Sequence, residues 1–183
     1  MKQVMYIVAA CVFATFLAGR AQAQDGSNIT GDRVAAEKTA HFVAAPPFVV
    51  ASLDEEGTYF ANESFTGRIV LVDFWATWCP PCVEALPEME KIYEEFHPHG
   101  FDILSLSFDA SDERIRRFRE KRYAMPWKHA RLAGAFNDVV SLSFGLQNIP
   151  HYVLIGRNGR ILAEGDDVHG ERLRDLLSEH LGK

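Results

Sequence analysis

An apolar run in this chain leads directly into a pair of cysteines, and the two together limit the folds that the chain can adopt. Arg68 to Trp75 reads RIVLVDFW, which is typical of a strand buried on both faces of a mainly parallel sheet. The next residues, ATWCPPC, place Cys79 and Cys82 three positions apart with two prolines between them. The apolar residues that follow recur at helical spacing: Val83, Leu86, Met89, Tyr93 and Phe96. The segment predicts a strand, a short cysteine loop and an amphipathic helix.

Further strands and one further helix are predicted on either side of this segment. Two short runs, FVVASL and GTYF, predict an N-terminal β-hairpin with Gly57 in the turn. After the amphipathic helix, DILSLSF (Asp102 to Phe108) alternates polar and apolar residues and predicts another strand. Ser111 then caps a helix that has acidic residues in its first turn and many basic residues after it. We interpret the basic residues as a solvated helix face. The net charge of −6 gives no reason to expect nucleic acid as a partner.

The C-terminal part predicts a hairpin and a final helix. HYVLIGRNGRILAEG holds two apolar runs around Asn158 and Gly159, a pair suited to a type I′ turn. Glu171 to Leu181 places its leucines on one helical stripe. The predicted order is the N-terminal hairpin followed by β-α-β-α-β-β-α. This order implies a three-layer α/β domain in which helices flank a central mixed sheet.

The N-terminus is predicted to be a secretory signal rather than part of the fold. Val4 to Ala18 is almost wholly apolar, and the small residues of AQA end at Ala23, so we expect cleavage before Gln24. The alternatives are an uncleaved membrane anchor and a lipid attached to Cys11 within VAAC. The predicted organisation is a signal peptide over residues 1–23, a linker over 24–45 and one domain over 46–183. We therefore expect a periplasmic or otherwise exported protein.

The mature chain would keep only Cys79 and Cys82, in an oxidising compartment. A disulfide across so short a loop constrains the unfolded chain little, so the pair would be a poor structural staple. Zinc requires further ligands, and no second cysteine pair is present. We favour a reversible redox pair. A structural disulfide and a metal clip are the alternatives.

The predicted position of the two cysteines assigns them different roles. The free N–H groups and the dipole at a helix start stabilise a thiolate, so the pKa of Cys79 should be depressed. A low pKa together with exposure would make Cys79 the nucleophile. Cys82, in the first helical turn, would resolve the mixed disulfide that Cys79 forms.

The motif VDFWATWCPPC, together with IPHYVLIGRNGRI near the C-terminus, resembles the thioredoxin superfamily, and in particular its secreted TlpA/ResA-like branch. The resemblance covers roughly Pro47 to Leu181. It implies a thioredoxin fold with an inserted central helix. It also implies that Pro150 follows a cis peptide bond and faces the disulfide, and that Ile149 pairs with a bound substrate strand.

Asp73 interrupts the apolar strand before the cysteines and matches the buried aspartate of thioredoxin itself. Burial should raise its pKa, and we interpret it as the proton acceptor for Cys82. A half-exposed aspartate at the strand end is the alternative. Many members of the branch carry a glutamate three residues after the second cysteine, where this chain has Ala85, and Glu84 lies one place away.

Three more residues are candidates for the surroundings of the disulfide. Trp75 and Trp78 are expected at the floor and rim of the site, with plain core packing as the alternative for either one. Trp78 is also a candidate for substrate binding. His151, directly after Pro150, would tune Cys79 if it lies beside the disulfide, although a surface or packing role is the other interpretation.

These features predict an exported thiol–disulfide oxidoreductase, acting as a reductase on protein substrates. We expect an electron donor in the membrane or among exported proteins, no cofactor, no metal, no nucleic acid and a monomeric protein. Two alternatives remain open. One is a thiol peroxidase, for which Thr77 alone does not supply the usual pocket. The other is a non-catalytic binding module that keeps the disulfide for stability.

Overall fold

A five-stranded mixed sheet forms the centre of the fold in a computed structural model, which describes residues 43–182. The strands are β1 (Val49–Ala51), β2 (Tyr59–Ala61), β3 (Ile69–Trp75), β4 (Phe101–Ser107), β5 (Lys128–Arg131), β6 (His151–Ile155) and β7 (Ile161–Gly165). The α-helices are α1 (Pro80–Phe96), α2 (Asp112–Lys121), α3 (Val139–Ser143) and α4 (Gly170–Leu181). Single 3-10 turns lie at Asn62–Phe65, His97–His99 and Ala135–Asn137.

The strand order in the sheet is β5-β4-β3-β6-β7, with β3 in the middle. β3 runs parallel to β4 and antiparallel to β6, and all seven of its residues are buried. β1 and β2 form a separate antiparallel hairpin, with Gly57 at positive φ between them. The predicted mixed sheet, flanking helices and N-terminal hairpin are therefore confirmed.

The alternation of polar and apolar residues along β4 does not mark a buried and an exposed face. Every residue of β4 is buried, on both faces of the sheet. Its polar side chains are satisfied inside the protein instead. Asp102 pairs with Lys128 and Arg68, while the hydroxyl groups of Ser105 and Ser107 donate to buried carboxylates.

Two elements were not predicted, namely β5 and α3. β5 reads KHAR and carries no apolar run, yet its two middle residues, His129 and Ala130, are buried.

The prediction of a type I′ turn at Asn158-Gly159 is wrong. Only Gly159 has positive φ, whereas a type I′ turn requires positive φ at both central residues. The chain instead turns over Gly156 to Gly159, closed by the Gly159 N–H donating to the Gly156 carbonyl at 2.9 Å.

Two described residues of the predicted linker contact the domain. Val43 and Ala45, placed in the linker by the sequence, hydrogen bond to Ile161 and Gly159 at the β6–β7 hairpin. The predicted signal peptide and residues 24–42 of the predicted linker lie outside the described residues. Within residues 43–182, no helix has the length and apolar character needed to cross a membrane.

Helix α1 begins at the cysteines and lies against the central sheet. Its buried residues are Cys82, Ala85, Leu86, Met89, Ile92, Tyr93 and Phe96. The predicted stripe is confirmed except at Val83, which is only half-buried, and Ile92 is fully buried in addition. Ser111 caps α2 as predicted, with its hydroxyl accepting the N–H of Arg114. Only residues 76–79 separate the end of β3 from the start of α1, so the strand end and the helix start lie next to each other.

Candidate active site

Cys79 and Cys82 form a disulfide, with the two sulfur atoms 2.05 Å apart. Cys79 is the N-cap of α1, and its Sγ accepts the backbone N–H of Cys82 at 3.3 Å. Pro80 and Pro81 occupy the first helical positions, where a missing N–H leaves no bond unmade. The predicted position of the cysteine pair at the start of a helix is confirmed.

The expected exposure of Cys79 is not found in the disulfide form. Cys79 is 4% exposed and Cys82 is 2% exposed, so both are buried. In this form Cys79 Sγ is bonded to Cys82 Sγ and also accepts the Cys82 N–H. Exposure therefore does not indicate which of the two cysteines is the nucleophile. Their positions at the helix start still differ, because Cys79 is the N-cap and Cys82 lies in the first turn.

The two tryptophans around the cysteines have different environments. Trp75 is fully buried in β3, and its ring packs against Phe118 of α2 with centroids 5.5 Å apart. Trp78 is 50% exposed, directly before Cys79. Trp75 therefore belongs to the core, and Trp78 presents an aromatic surface at the edge of the site.

Asp73 is buried in the middle of the sheet, opposite Ser105 of β4 and Tyr152 of β6. Its Oδ2 accepts the Ser105 hydroxyl at 2.7 Å. Burial raises the pKa of Asp73 from 3.8 to about 7, and the hydrogen bond from Ser105 opposes part of that rise. A carboxyl group with this pKa is able to exchange a proton near neutral pH. The alternative of a half-exposed aspartate is wrong.

Ser105 and Trp127 form a chain of donors that ends on Asp73. The Trp127 ring N–H donates to Ser105 Oγ at 2.8 Å, and Ser105 in turn donates to Asp73. Neither residue was a sequence candidate. Ser105 stands at one of several polar positions in β4, and only the β3–β4 register identifies it as the partner of Asp73.

The peptide bond between Ile149 and Pro150 is cis, as the resemblance implied. Both residues line an open groove of about 630 Å³ beside the start of α1. The groove is lined by Pro81, Glu84, Ala85, Glu88, Asn148, Ile149, Pro150, Asp166, His169 and Gly170. The structure therefore brings Ile149 and Pro150 together with Pro81, one of the two residues between the cysteines, while Trp78 is not among the lining residues.

His151 contacts groups other than the cysteines. Its ring lies 6.3 Å from the ring of Phe74, and its Nε2 is 3.1 Å from Glu164 Oε1. These contacts favour the packing and surface interpretation over tuning of Cys79.

Among residues 43–182, no three His, Cys, Asp or Glu side chains lie close enough to share a metal ion.

Comparisons with known proteins agree with this geometry. A family model described as thioredoxin-like matches residues 67–161. The thiol-disulfide oxidoreductase ResA of Bacillus thuringiensis subsp. konkukian is 31% identical over 139 residues, which are 76% of this chain and 75% of that protein. The ResA of Geobacillus thermodenitrificans is 30% identical over 147 residues, 79% of each chain.

Solved structures show the same arrangement of strands and helices. The thioredoxin domain of a thiol-disulfide oxidoreductase from Bacteroides vulgatus superposes with a TM-score of 0.68 at 26% identity, covering 76% of this chain and 96% of that one. A thiol:disulfide interchange protein from Bacteroides sp. superposes with a TM-score of 0.66 at 27% identity, covering 76% of this chain and 89% of that one.

Proposed function

The chain belongs to the thioredoxin-like family of thiol–disulfide oxidoreductases, and we propose that Cys79 is its attacking thiol and Cys82 its resolving thiol. The observation that carries this assignment is the position of Cys79 as the N-cap of α1. There the N–H of Cys82 and the helix dipole favour the thiolate over the thiol. Cys82 sits one turn into the helix and reaches the same sulfur without any large movement.

The proposed reaction begins with the reduced protein. The Cys79 thiolate attacks one sulfur of a client disulfide, forming a mixed disulfide and releasing the other client sulfur as a thiolate that takes up a proton. Cys82 then loses its proton and attacks Cys79 Sγ, which breaks the mixed disulfide and releases the second client thiol. The client gains two electrons, and the protein is left with the Cys79–Cys82 disulfide.

Asp73 is the proposed acceptor of the Cys82 proton. It is the buried carboxylate of β3, the strand that leads into the cysteines, and its pKa of about 7 suits a base at neutral pH. The donor chain from Trp127 through Ser105 fixes one side of the carboxylate, which leaves its other oxygen for a thiol or a water.

The substrates of this family are protein disulfides or thiols, and we propose that the client binds along the groove at Pro150. Ile149 offers its backbone beside the cis bond, and strand-like backbone pairing tolerates many client sequences. Trp78 would cover the opposite side of the client. A membrane-bound or exported dithiol protein would return the two electrons to the enzyme, and a monomer suffices for each step.

Replacing Cys82 with alanine should trap the client, because the mixed disulfide on Cys79 then has no resolving thiol. The helix start that favours the Cys79 thiolate is unchanged in this variant. Acid-quenched cells should show adducts on non-reducing gels that disappear with dithiothreitol. The matched control adds Cys79→Ala. Adducts that survive it contradict the assignment of Cys79, and a lack of protein adducts under all redox conditions favours a small-molecule or peroxide substrate.

We also propose that the protein is exported and cleaved before Gln24, from the apolar run and AQA at the N-terminus. Mass spectrometry of the exported protein should then find Gln24 as the first residue. An N-terminus at Met1, or a lipid on Cys11, contradicts the proposed processing.

A further inference from the structure

Asp109 lies two residues after the end of β4 and is a buried carboxylate, 1% exposed, that the reaction steps above do not use. Its Oδ2 accepts the backbone N–H of Thr77 at 2.9 Å and the Ser107 hydroxyl at 2.8 Å. Its Oδ1 accepts the Thr77 hydroxyl at 2.6 Å and lies 3.3 Å from Arg114 Nε. Both oxygens are therefore satisfied, and each of them binds Thr77.

Thr77 lies in the turn that presents the attacking cysteine. The N–H of Cys79 donates to the carbonyl of Ala76 at 3.1 Å, so Thr77 and Trp78 are the two central residues of this turn. Asp109 holds Thr77 by its main chain and by its side chain at once. Arg114 Nε donates to Thr77 Oγ1 at 3.1 Å, which leaves the hydroxyl hydrogen pointing at Asp109.

The bonds from Thr77 offset the free energy of burying the polar side chain of Asp109, and they also fix the turn. Because Cys79 is the last residue of this turn, holding Thr77 also fixes the direction of the backbone at Cys79. That direction decides whether Cys79 Sγ stays against the N–H of Cys82 at the helix start. If the turn relaxes, the sulfur moves away from the N–H and the dipole that favour its thiolate.

We propose that Asp109 is a positioning residue for the attacking thiol, acting through Thr77 to hold the turn Ala76–Cys79. The proposal rests on the assignment of Cys79 as the attacking thiol. Asp109 touches neither sulfur, so its effect reaches the reaction through the thiolate of Cys79. Arg114 of α2 contacts both Asp109 and the Thr77 hydroxyl, and it thereby connects α2 to the turn that ends at Cys79.

The sharpest test compares Thr77→Val with Thr77→Ser. Valine keeps the shape of threonine and the backbone bond to Asp109 but removes the hydroxyl, whereas serine keeps the hydroxyl. The thiolate of Cys79 is titrated by its ultraviolet absorbance in reduced protein whose Cys11 and Cys82 are replaced by alanine. We expect the pKa of Cys79 to rise by about one unit in Thr77→Val, a tenfold loss of thiolate below the pKa, with recovery in Thr77→Ser.

The second comparison sets Asp109→Asn against Asp102→Asn. Asp102 is likewise buried and ion-paired, but it lies near the start of β4, whereas Asp109 lies beyond its end. Both variants should lose stability, and Asp109→Asn alone should raise the pKa of Cys79. An equal shift in Asp102→Asn, or an unchanged pKa in Thr77→Val, overturns the positioning role. A wild-type Cys79 with an ordinary pKa instead refutes the assignment of the attacking thiol, and the proposal falls with it.

Discussion

Replacing Asp73 with asparagine is expected to slow resolution of the mixed disulfide tenfold or more, while the first attack by Cys79 keeps nearly its wild-type rate. Asparagine fills the same space beside Ser105 but does not accept a proton from Cys82. Each pKa unit of mismatch between a thiol and its base corresponds to about 1.4 kcal/mol, which is a factor of ten in rate. The two steps therefore respond differently to one substitution.

The two steps are separated by rapid mixing with a disulfide client, acid quenching and measurement of the mixed disulfide. In Asp73→Asn the mixed disulfide should accumulate, whereas in the wild type it should remain scarce. The wild-type resolution rate should also fall as the pH drops below about 7, because protonated Asp73 no longer accepts a proton. Asp102→Asn is the matched control. Equal slowing of both steps, or of neither, contradicts the role of Asp73.

Asp73→Asn is also expected to change how the stability of the oxidised protein depends on pH. The pKa of Asp73 is about 7 in the folded protein and near its ordinary 3.8 in the unfolded chain. Between these pH values the native state holds a proton that the unfolded state releases, so the free energy of unfolding falls as the pH rises. About three pKa units correspond to about 4 kcal/mol. Relative to the wild type, Asp73→Asn should therefore gain up to about 4 kcal/mol between pH 4 and pH 7.

His129 acts in the opposite direction over nearly the same pH range. Burial lowers its pKa from 6.5 to about 4, so the unfolded chain takes up a proton first as the pH falls and the native state loses stability. Because His129 is present in both proteins, the difference between Asp73→Asn and the wild type isolates Asp73. Urea unfolding at several pH values measures this difference. A difference that does not vary with pH contradicts a buried, titrating Asp73.

Local patterns were sufficient to predict the elements that carry the cysteines. The apolar run of β3 predicts a doubly buried strand, and the prolines after Cys79 mark a helix start, so both follow from neighbouring residues. β5 could not be predicted in this way. His129 and Ala130 are buried because β5 pairs with β4, and nothing in the short segment KHAR indicates that contact.

A site residue could be predicted where its own type is unusual for its position in the sequence. It could not be predicted where its role depends on the pairing register of two strands. Asp73 stands out because a carboxylate interrupts an apolar strand. Ser105 and Asp109 look like ordinary polar residues of an alternating strand and the loop after it. Their partners lie 32 positions away in sequence, and only the parallel pairing of β3 with β4 brings them together.

The reduction potential of the Cys79–Cys82 pair decides whether the pair is redox-active, and it is measured by equilibration with glutathione buffers and counting of thiols. A redox-active pair should be reduced reversibly, with a potential between about −270 and −120 mV, the range of thioredoxin-like catalysts. A potential below about −300 mV contradicts the claim. Structural disulfides resist reduction that far, and such a value would assign the pair to stability rather than to exchange.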